Sequence, residues 1–334
     1  MPKEPMSKQK ILILGGAGFI GYHLTNRLLN DGHSVTIVDD FSRGRQDPDL
    51  DALIKRPGVK VVTADLTKAE SYHQFDRDFD HIYMLAAVVG VRNVEKDPWK
   101  VVRVNTLVVM NLLEWIPETT KVFFASTSEA YSGAFMSGIA KIPTAEDVPL
   151  VIQDVTSPRF TYGASKLLGE VATIHAAKAK GYRYVVGRFH NVYGPRMGAD
   201  HVVPELALRA MRRENPFKVY GTDQFRAFCY IDDAIEAMVQ VMNSPACDNQ
   251  IIHIGNDSGE TNIGDLTELV LKVSGFEPKL DRQPAPDGAV TRRLPDISKL
   301  RRLTGFEPKV SLEQGVRKTF DWYKVWREQN EKVS

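Results

Sequence analysis

Residues 11–21 read ILILGGAGFIG. A short apolar run meets Gly15, Gly18 and Gly21, and the next residues, through Asn30, repeat apolar positions at Phe19, Ile20, Leu24, Leu28 and Leu29. The pattern predicts strand, tight turn and helix. Each glycine has a physical task. Gly15 permits the turn, Gly18 lets backbone approach a pyrophosphate, and Gly21 lets the helix lie close to the sheet. Phe19 and Ile20 then open a helix whose first N–H groups lack intrahelical partners and face negative charge. Three glycines alone are weak evidence. Their position between the first strand and the first helix is the context that gives them weight.

Working outward, strand and helix signals alternate. SVTIVDD, KVVTADL, HIYMLAA, KVFFA and YRYVVGRF read as further strands. Asp97-Pro98 reads as a cap and first-turn proline of a helix through Val104, Leu107, Val108, Leu112 and Leu113. A longer helix spans Phe160 to Lys180 and stops before Gly181. Near-continuous apolar strands separated by helices predict an α/β fold, a Rossmann-type doubly wound parallel sheet. Residues 8–190 form this dinucleotide-binding domain. Residues 191–330, with shorter and irregular elements, form mainly a smaller α/β substrate-binding cap, some segments of which return to the first domain. Asp39 ends the second strand about 20 residues past the loop, where an acid takes the ribose hydroxyls. It would repel a 2′-phosphate and so favours NAD over NADP. Arg43, counted with the cofactor contacts, and Arg45 lie just beyond and weaken that preference.

Two later stretches carry chemistry. Residues 126–132, STSEAYS, put four polar side chains, Ser126, Thr127, Ser128 and Glu129, at the end of a buried strand. Burying them costs free energy unless something uses them. TYGASK places Tyr162 and Lys166 four apart on one helix face. A free phenol, with a pKa near ~10, is a poor base at neutral pH, and a neighbouring ammonium makes it a better one. YxxxK by itself is a chance match; behind a dinucleotide loop and a fifth strand it is specific.

Composition narrows the classes. The chain has 334 residues, 43% hydrophobic and 25% charged, with a formal net charge of +1. No whole-molecule field attracts nucleic acid or a membrane surface. The two cysteines, Cys229 and Cys247, make no CxxC. The longest apolar run, MLAAVVGV, is too short to span a bilayer, and MPKEPMSKQK lacks a signal-peptide core. A cytoplasmic protein without a membrane or nucleic-acid partner is expected. The eight histidines show no ligand spacing, so no metal site is expected.

The glycine loop, LAA at 85–87, STSEAY, YGASK and RFHNVYGPRM together resemble the extended short-chain dehydrogenase/reductase family. VYGTDQFRAFCYIDD and RRLPDISKLRRLTGFEPKVSLEQGV extend the likeness to nearly the whole chain. The family comprises NAD-dependent nucleotide-sugar epimerases, dehydratases and decarboxylases. The resemblance implies a triad of Thr127, Tyr162 and Lys166, with Ser128 and Glu129 beside the reacting sugar. It implies cofactor contacts at Asp65 and Leu66, at Leu85, Ala86 and Ala87, and at Tyr162 and Lys166. It assigns Asn191, Arg226 and Arg293 to the nucleotide-sugar, and Arg92 either to a substrate carboxylate or to the surface. Leu14 and Ser132 depart from the family pattern, which commonly has threonine before the loop and glycine after the tyrosine. The reading favours a 4-epimerase working through a transient 4-keto sugar, because LAAVVGVRNV is epimerase-like. The alternative is a UDP-glucuronate decarboxylase-like enzyme. A 4,6-dehydratase, a 4-dehydrogenase and a non-catalytic NAD-binding module stay open. UDP is the family's commonest nucleotide. The resemblance implies a homodimer paired through the helices near 98–116 and 160–180.

Overall fold

A computed structural model describes residues 8–42, 47–285 and 290–331. Arg43 and Arg45 lie outside the described residues. The chain forms two compact units. One takes in the chain up to Ala130, Asp154–Arg188 and Met238–Ile252; the other comprises Tyr131–Gln153, Phe189–Ala237 and His253 onward.

The first five strands are β1 (Lys10–Leu14), β2 (Ser34–Asp39), β3 (Val59–Thr63), β4 (His81–Met84) and β5 (Lys121–Thr127). With β6 (Arg183–Phe189) and β11 (Gln250–Ile254) they make a seven-stranded sheet in the order β11-β6-β5-β4-β1-β2-β3 among the described residues. The pairings β1–β2, β2–β3, β1–β4 and β4–β5 are parallel. Strand order reverses at β1, so the chain leaves β1 at a topological switch point, where open sheets of this kind take ligands. β5 is buried along its whole length, as its apolar run requires.

The helices of this unit are α1 (Phe19–Asn30), α2 (Pro48–Ile54), α3 (Val91–Lys96), α4 (Pro98–Trp115) and α6 (Thr161–Lys180). Asp97 caps α4 by accepting the Lys100 N–H at 2.9 Å, and Pro98 fills its first turn. Gly181, at φ 87°, ends α6 in the left-handed conformation that glycine tolerates. Leu12, Leu14, Ile82, Met84, Val122 and Phe124 from the sheet pack with Val108 and Leu112 of α4 in one core. The sequence reading passes over α2 and α3, because seven and six residues are too few to display a 3.6-residue repeat.

The second unit holds α5 (Ser132–Met136), α7 (Val202–Met211), α9 (Ile263–Ser274), α10 (Ser298–Thr304) and α11 (Leu312–Glu331); α8 (Ile231–Asn243) starts here. Its strands are short: β7 (Val192–Tyr193), β8 (Phe217–Tyr220), β9 (Phe225–Ala227), β10 (Cys229–Tyr230), β12 (Glu260–Asn262), β13 (Leu280–Gln283) and β14 (Arg292–Arg293). They pair as β10–β7, β13–β8 and β12–β9–β14. α7, α9 and α11 pack on one another. No helix among the described residues is long and apolar enough to cross a membrane.

Candidate active site

The glycine loop follows β1. Gly15 takes φ +84°, and its N–H donates to the Val38 carbonyl at 2.8 Å. A Cβ on Gly15 would lie 2.7 Å from Ala86 N, and one on Gly21 would collide with the Gly15 carbonyl. Both positions are closed to larger residues by backbone. Gly18 differs: a Cβ there would have one neighbour, Gly15 O at 3.3 Å. Protein atoms do not crowd its face, as a position reserved for a phosphate requires. α1 has no side-chain cap, so the N–H groups of its first turn, at Phe19 and Ile20, stay available to an anion. These residues fit a dinucleotide.

Asp39 accepts the Ala17 N–H at 3.0 Å on one oxygen and the Phe41 N–H at 2.9 Å on the other. It therefore braces the loop, and a carboxylate's remaining lone pairs can still meet a ribose. Burial pushes its carboxyl above the usual range. Asp65 accepts both the N–H and the hydroxyl of Thr67, at 3.0 and 2.7 Å, which holds its pKa down. Leu66 beside it is buried. Leu85 donates its N–H to Leu14 O at 2.9 Å, so Leu85, Ala86 and Ala87 continue the β4 path past the glycine turn.

Thr127 closes β5, and Ser128–Tyr131 form a single 3-10 turn. Thr127 and Ser128 are buried. The Thr127 hydroxyl accepts the Glu129 N–H at 3.2 Å. α6 packs on β5 and places Tyr162 in its first turn, one turn before Lys166. A Cβ on Gly163 would sit 3.1 Å from Glu129 O, so this glycine lets the start of α6 approach the Ser128–Tyr131 turn. Lys166 is buried; its Nζ donates to the Ala125 carbonyl at 2.9 Å and lies over the Phe124 ring. Burial lowers its pKa to about 8, against the pull of Glu170.

Sequence reasoning passed over Glu170, Arg188 and Asn105, which brace this region. Glu170 accepts the Ser126 hydroxyl and a two-point bond from Arg188 at 2.9 and 2.6 Å, all buried. Ser126 is thus occupied by Glu170. Asn105 of α4 accepts the Val88 N–H at 2.7 Å and donates to Val88 O and to the Ser165 hydroxyl, both at 3.1 Å. It ties the segment after β4 to the helix bearing Tyr162 and Lys166. The only sequence signal for these was polarity at positions where periodicity called for apolar residues. Arg92 is exposed on α3.

In the second unit, β9 and β14 run parallel with Arg226 opposite Arg293, so the two arginines are neighbours. Arg226 donates to the Phe225, Thr291 and Val290 carbonyls at 2.7, 3.3 and 2.7 Å. Arg293 is buried and donates to the Ser132 hydroxyl at 3.1 Å. Asn191, at φ 41°, donates its amide to Ala227 O at 3.0 Å and accepts the Cys229 N–H on its carbonyl at 3.2 Å. Asn191 thereby tethers the chain after β6 to β9.

The chain as a whole is similar to known proteins. Residues 11–255 match the NAD-dependent epimerase/dehydratase family. A UDP-N-acetyl-alpha-D-glucosaminuronate decarboxylase of Bacillus cytotoxicus is 30% identical over 95% of this chain and 98% of its own length. UDP-glucuronic acid decarboxylase 1 of Xenopus tropicalis is 31% identical over 95% of this chain and 72% of its own. Among solved structures, UDP-glucuronic acid 4-epimerase of Bacillus cereus, in complex with UDP-glucuronic acid and NAD, superposes with a TM-score of 0.82 at 28% identity, covering 95% of this chain and 99% of that one. The glycine loop at the switch point and the match across most of its length place this chain in the NAD-dependent epimerase/dehydratase family of enzymes.

Proposed function

We propose that this protein oxidises C4 of a UDP-linked hexuronate and that the resulting 4-keto sugar loses its C6 carboxylate, a UDP-glucuronate decarboxylase-like activity. The observation that carries this reading is the Thr127–Ser128–Glu129 edge at the end of β5, in the same unit as buried Lys166. Exchange of configuration at C4 needs no acid beyond the triad, whereas handling a carboxylate and a proton at C5 gives Ser128 and Glu129 work. The two decarboxylase relatives support the same choice.

NAD, when bound, supplies the oxidant for C4. The Lys166 ammonium favours the phenolate of Tyr162, which takes the proton of the C4 hydroxyl. Thr127 hydrogen-bonds the same oxygen and keeps it in place. The new ketone makes the C6 carboxylate that of a β-keto acid. The C5–C6 bond breaks, its electron pair enters an enolate with oxygen at C4, and carbon dioxide leaves. Glu129 would deliver the proton to C5. Reduction at C4 then leaves no net redox change. Arg293 would meet the diphosphate through charge-assisted bonds and Asn191 would flank it, while Arg226, whose terminal nitrogens donate to the Phe225, Val290 and Thr291 carbonyls, would brace that edge.

A 4-epimerase is the second reading. It is favoured by the likeness to UDP-glucuronic acid 4-epimerase, and it shares the C4 oxidation. Mass spectrometry of products from UDP-glucuronate, UDP-N-acetylglucosaminuronate, UDP-glucose and UDP-galactose separates the two. Loss of carbon dioxide is the expected result; unchanged mass with inverted C4 would establish the epimerase instead. Tyr162→Phe is expected to keep NAD binding and lose about 10²- to 10⁴-fold in turnover, the usual worth of a positioned base. Full turnover in that variant would remove the proposed base. We further propose a homodimer built on α4 and α6, which turn Met110, Leu168 and Val171 to solvent.

A further inference from the structure

Ser132 has a partner within the second unit. Its hydroxyl accepts a hydrogen bond from Arg293 Nη2 at 3.1 Å, and both residues are buried. The backbone on either side of Arg293 is held by other groups. Arg226 gathers the Val290 and Thr291 carbonyls, and β14 pairs with β9. Beyond it, Thr144 donates its N–H to Leu294 O at 2.9 Å and accepts that of Asp296 at 2.8 Å. His253 Nδ1 lies 3.0 Å from the Asp296 carbonyl, so it carries the proton, and Nε2 accepts the Tyr131 hydroxyl at 2.8 Å. These contacts fix where the Arg293 side chain starts. The guanidinium end is set by contacts of its own, because arginine is long and rotamer-rich.

Ser132 supplies a hold at that far end. The backbone that carries the hydroxyl is fixed. Ser132 opens α5, and a Cβ on neighbouring Gly133 would collide with the Val151 carbonyl, so that stretch of chain lies against fixed backbone. A hydroxyl is also a neutral acceptor. It takes one of five guanidinium N–H groups and orients the fork without cancelling its charge. Glycine at this position would leave the fork without this contact.

We infer that Ser132 is a positioning residue that aims Arg293 at the diphosphate of the nucleotide-sugar and so sets affinity for that anionic group. The inference rests on the proposed reading in which Arg293 meets the diphosphate. The test uses the full-length, NAD-loaded protein and UDP as the probe, titrated calorimetrically into wild type, Ser132→Ala and Arg293→Ala. Ser132→Ala is expected to weaken UDP binding about ten-fold or more, the usual effect of losing a hydrogen bond to a charged group. It is expected to raise KM for the sugar nucleotide with little change in kcat, and to leave NAD affinity as in wild type. UDP binding of wild-type strength in Ser132→Ala, with Arg293→Ala weakened, would overturn the role of Ser132 alone. Wild-type UDP binding in Arg293→Ala would overturn the assignment of Arg293 on which it rests. Loss of NAD affinity together with UDP affinity in Ser132→Ala would make the serine merely structural.

Discussion

Lys166 shows how a single residue is tuned by what covers it. A lysine with its side chain out of water loses hydration that its charged form needs, and here the pKa falls from 10.5 to about 8. Glu170, one turn further along α6, opposes that fall but shares its charge with Arg188. The proposed chemistry needs the ammonium, because only the charged form favours a Tyr162 phenolate. Turnover should therefore drop as pH rises through about 8, by about ten-fold per unit beyond it. Stability should move the other way. Between about 8 and 10.5 the unfolded chain binds a proton that folded Lys166 has released, so the folded state gains as pH rises across that window. Glu170→Gln removes the carboxylate favouring the charge and should move the alkaline limb of kcat to lower pH. A limb unmoved by Glu170→Gln, or a rate flat to pH 10.5, would show that Lys166 does not act as a cation in the reaction.

At the scale of elements, β5 is held from both ends by lysines. Lys121 opens the strand and is 2% exposed. Its Nζ donates to Val241 O and Ser244 O at 3.0 and 3.1 Å and pairs with Asp248 at 2.5 Å, closing the carbonyl end of α8. Lys121→Met fills the space but leaves the two carbonyls without their donor and Asp248 with the more distant Arg183, at 3.5 Å. Breaking a buried pair in this way costs about 3–5 kcal/mol. The urea midpoint should fall accordingly, and Lys121→Arg should recover part of it; an unchanged midpoint in Lys121→Met would mean that water replaces the cation at little cost. What the sequence discloses follows the same logic of scale. KILIL and KVFFA are legible as strands because burial on both faces demands unbroken apolar runs. Gly15, Gly18 and Gly21, and the Tyr162–Lys166 pair, are legible because their spacing is local. The contacts Glu170–Ser126, Asn105–Ser165 and Ser132–Arg293 are not, because they join residues 44, 60 and 161 apart in the chain and no local periodicity encodes them. The two- and three-residue strands β14 and β9, which bring Arg293 beside Arg226, are too short to register as a pattern.

For the whole molecule, the question is what covers α4 and α6. The two helices pack on each other and put Val101, Asn105 and Val108, and Ser165, Lys166, Glu170 and Thr173, towards the interior. Their other faces carry Trp99, Met110, Leu168 and Val171 at helical spacing, with Leu168 44% and Val171 48% exposed. Single exposed apolar residues need no explanation, but a row on two adjacent rigid helices does. A second copy meeting the row would bury it as a four-helix contact, and a standard interface needs about 800 Å² from each partner. Light scattering of the wild type at micromolar concentration should then give twice the chain mass of 37.5 kDa, and Leu168→Glu with Val171→Glu should give the single mass. Two glutamates introduced into the seam would each face desolvation and like charge from the partner copy. Because α6 carries Tyr162 and Lys166 on the side opposite these residues, the variant also reports on rigidity. If pairing steadies the helix, turnover of the variant falls with NAD affinity retained; a wild-type protein that scatters as a monomer would remove the interface and that coupling together.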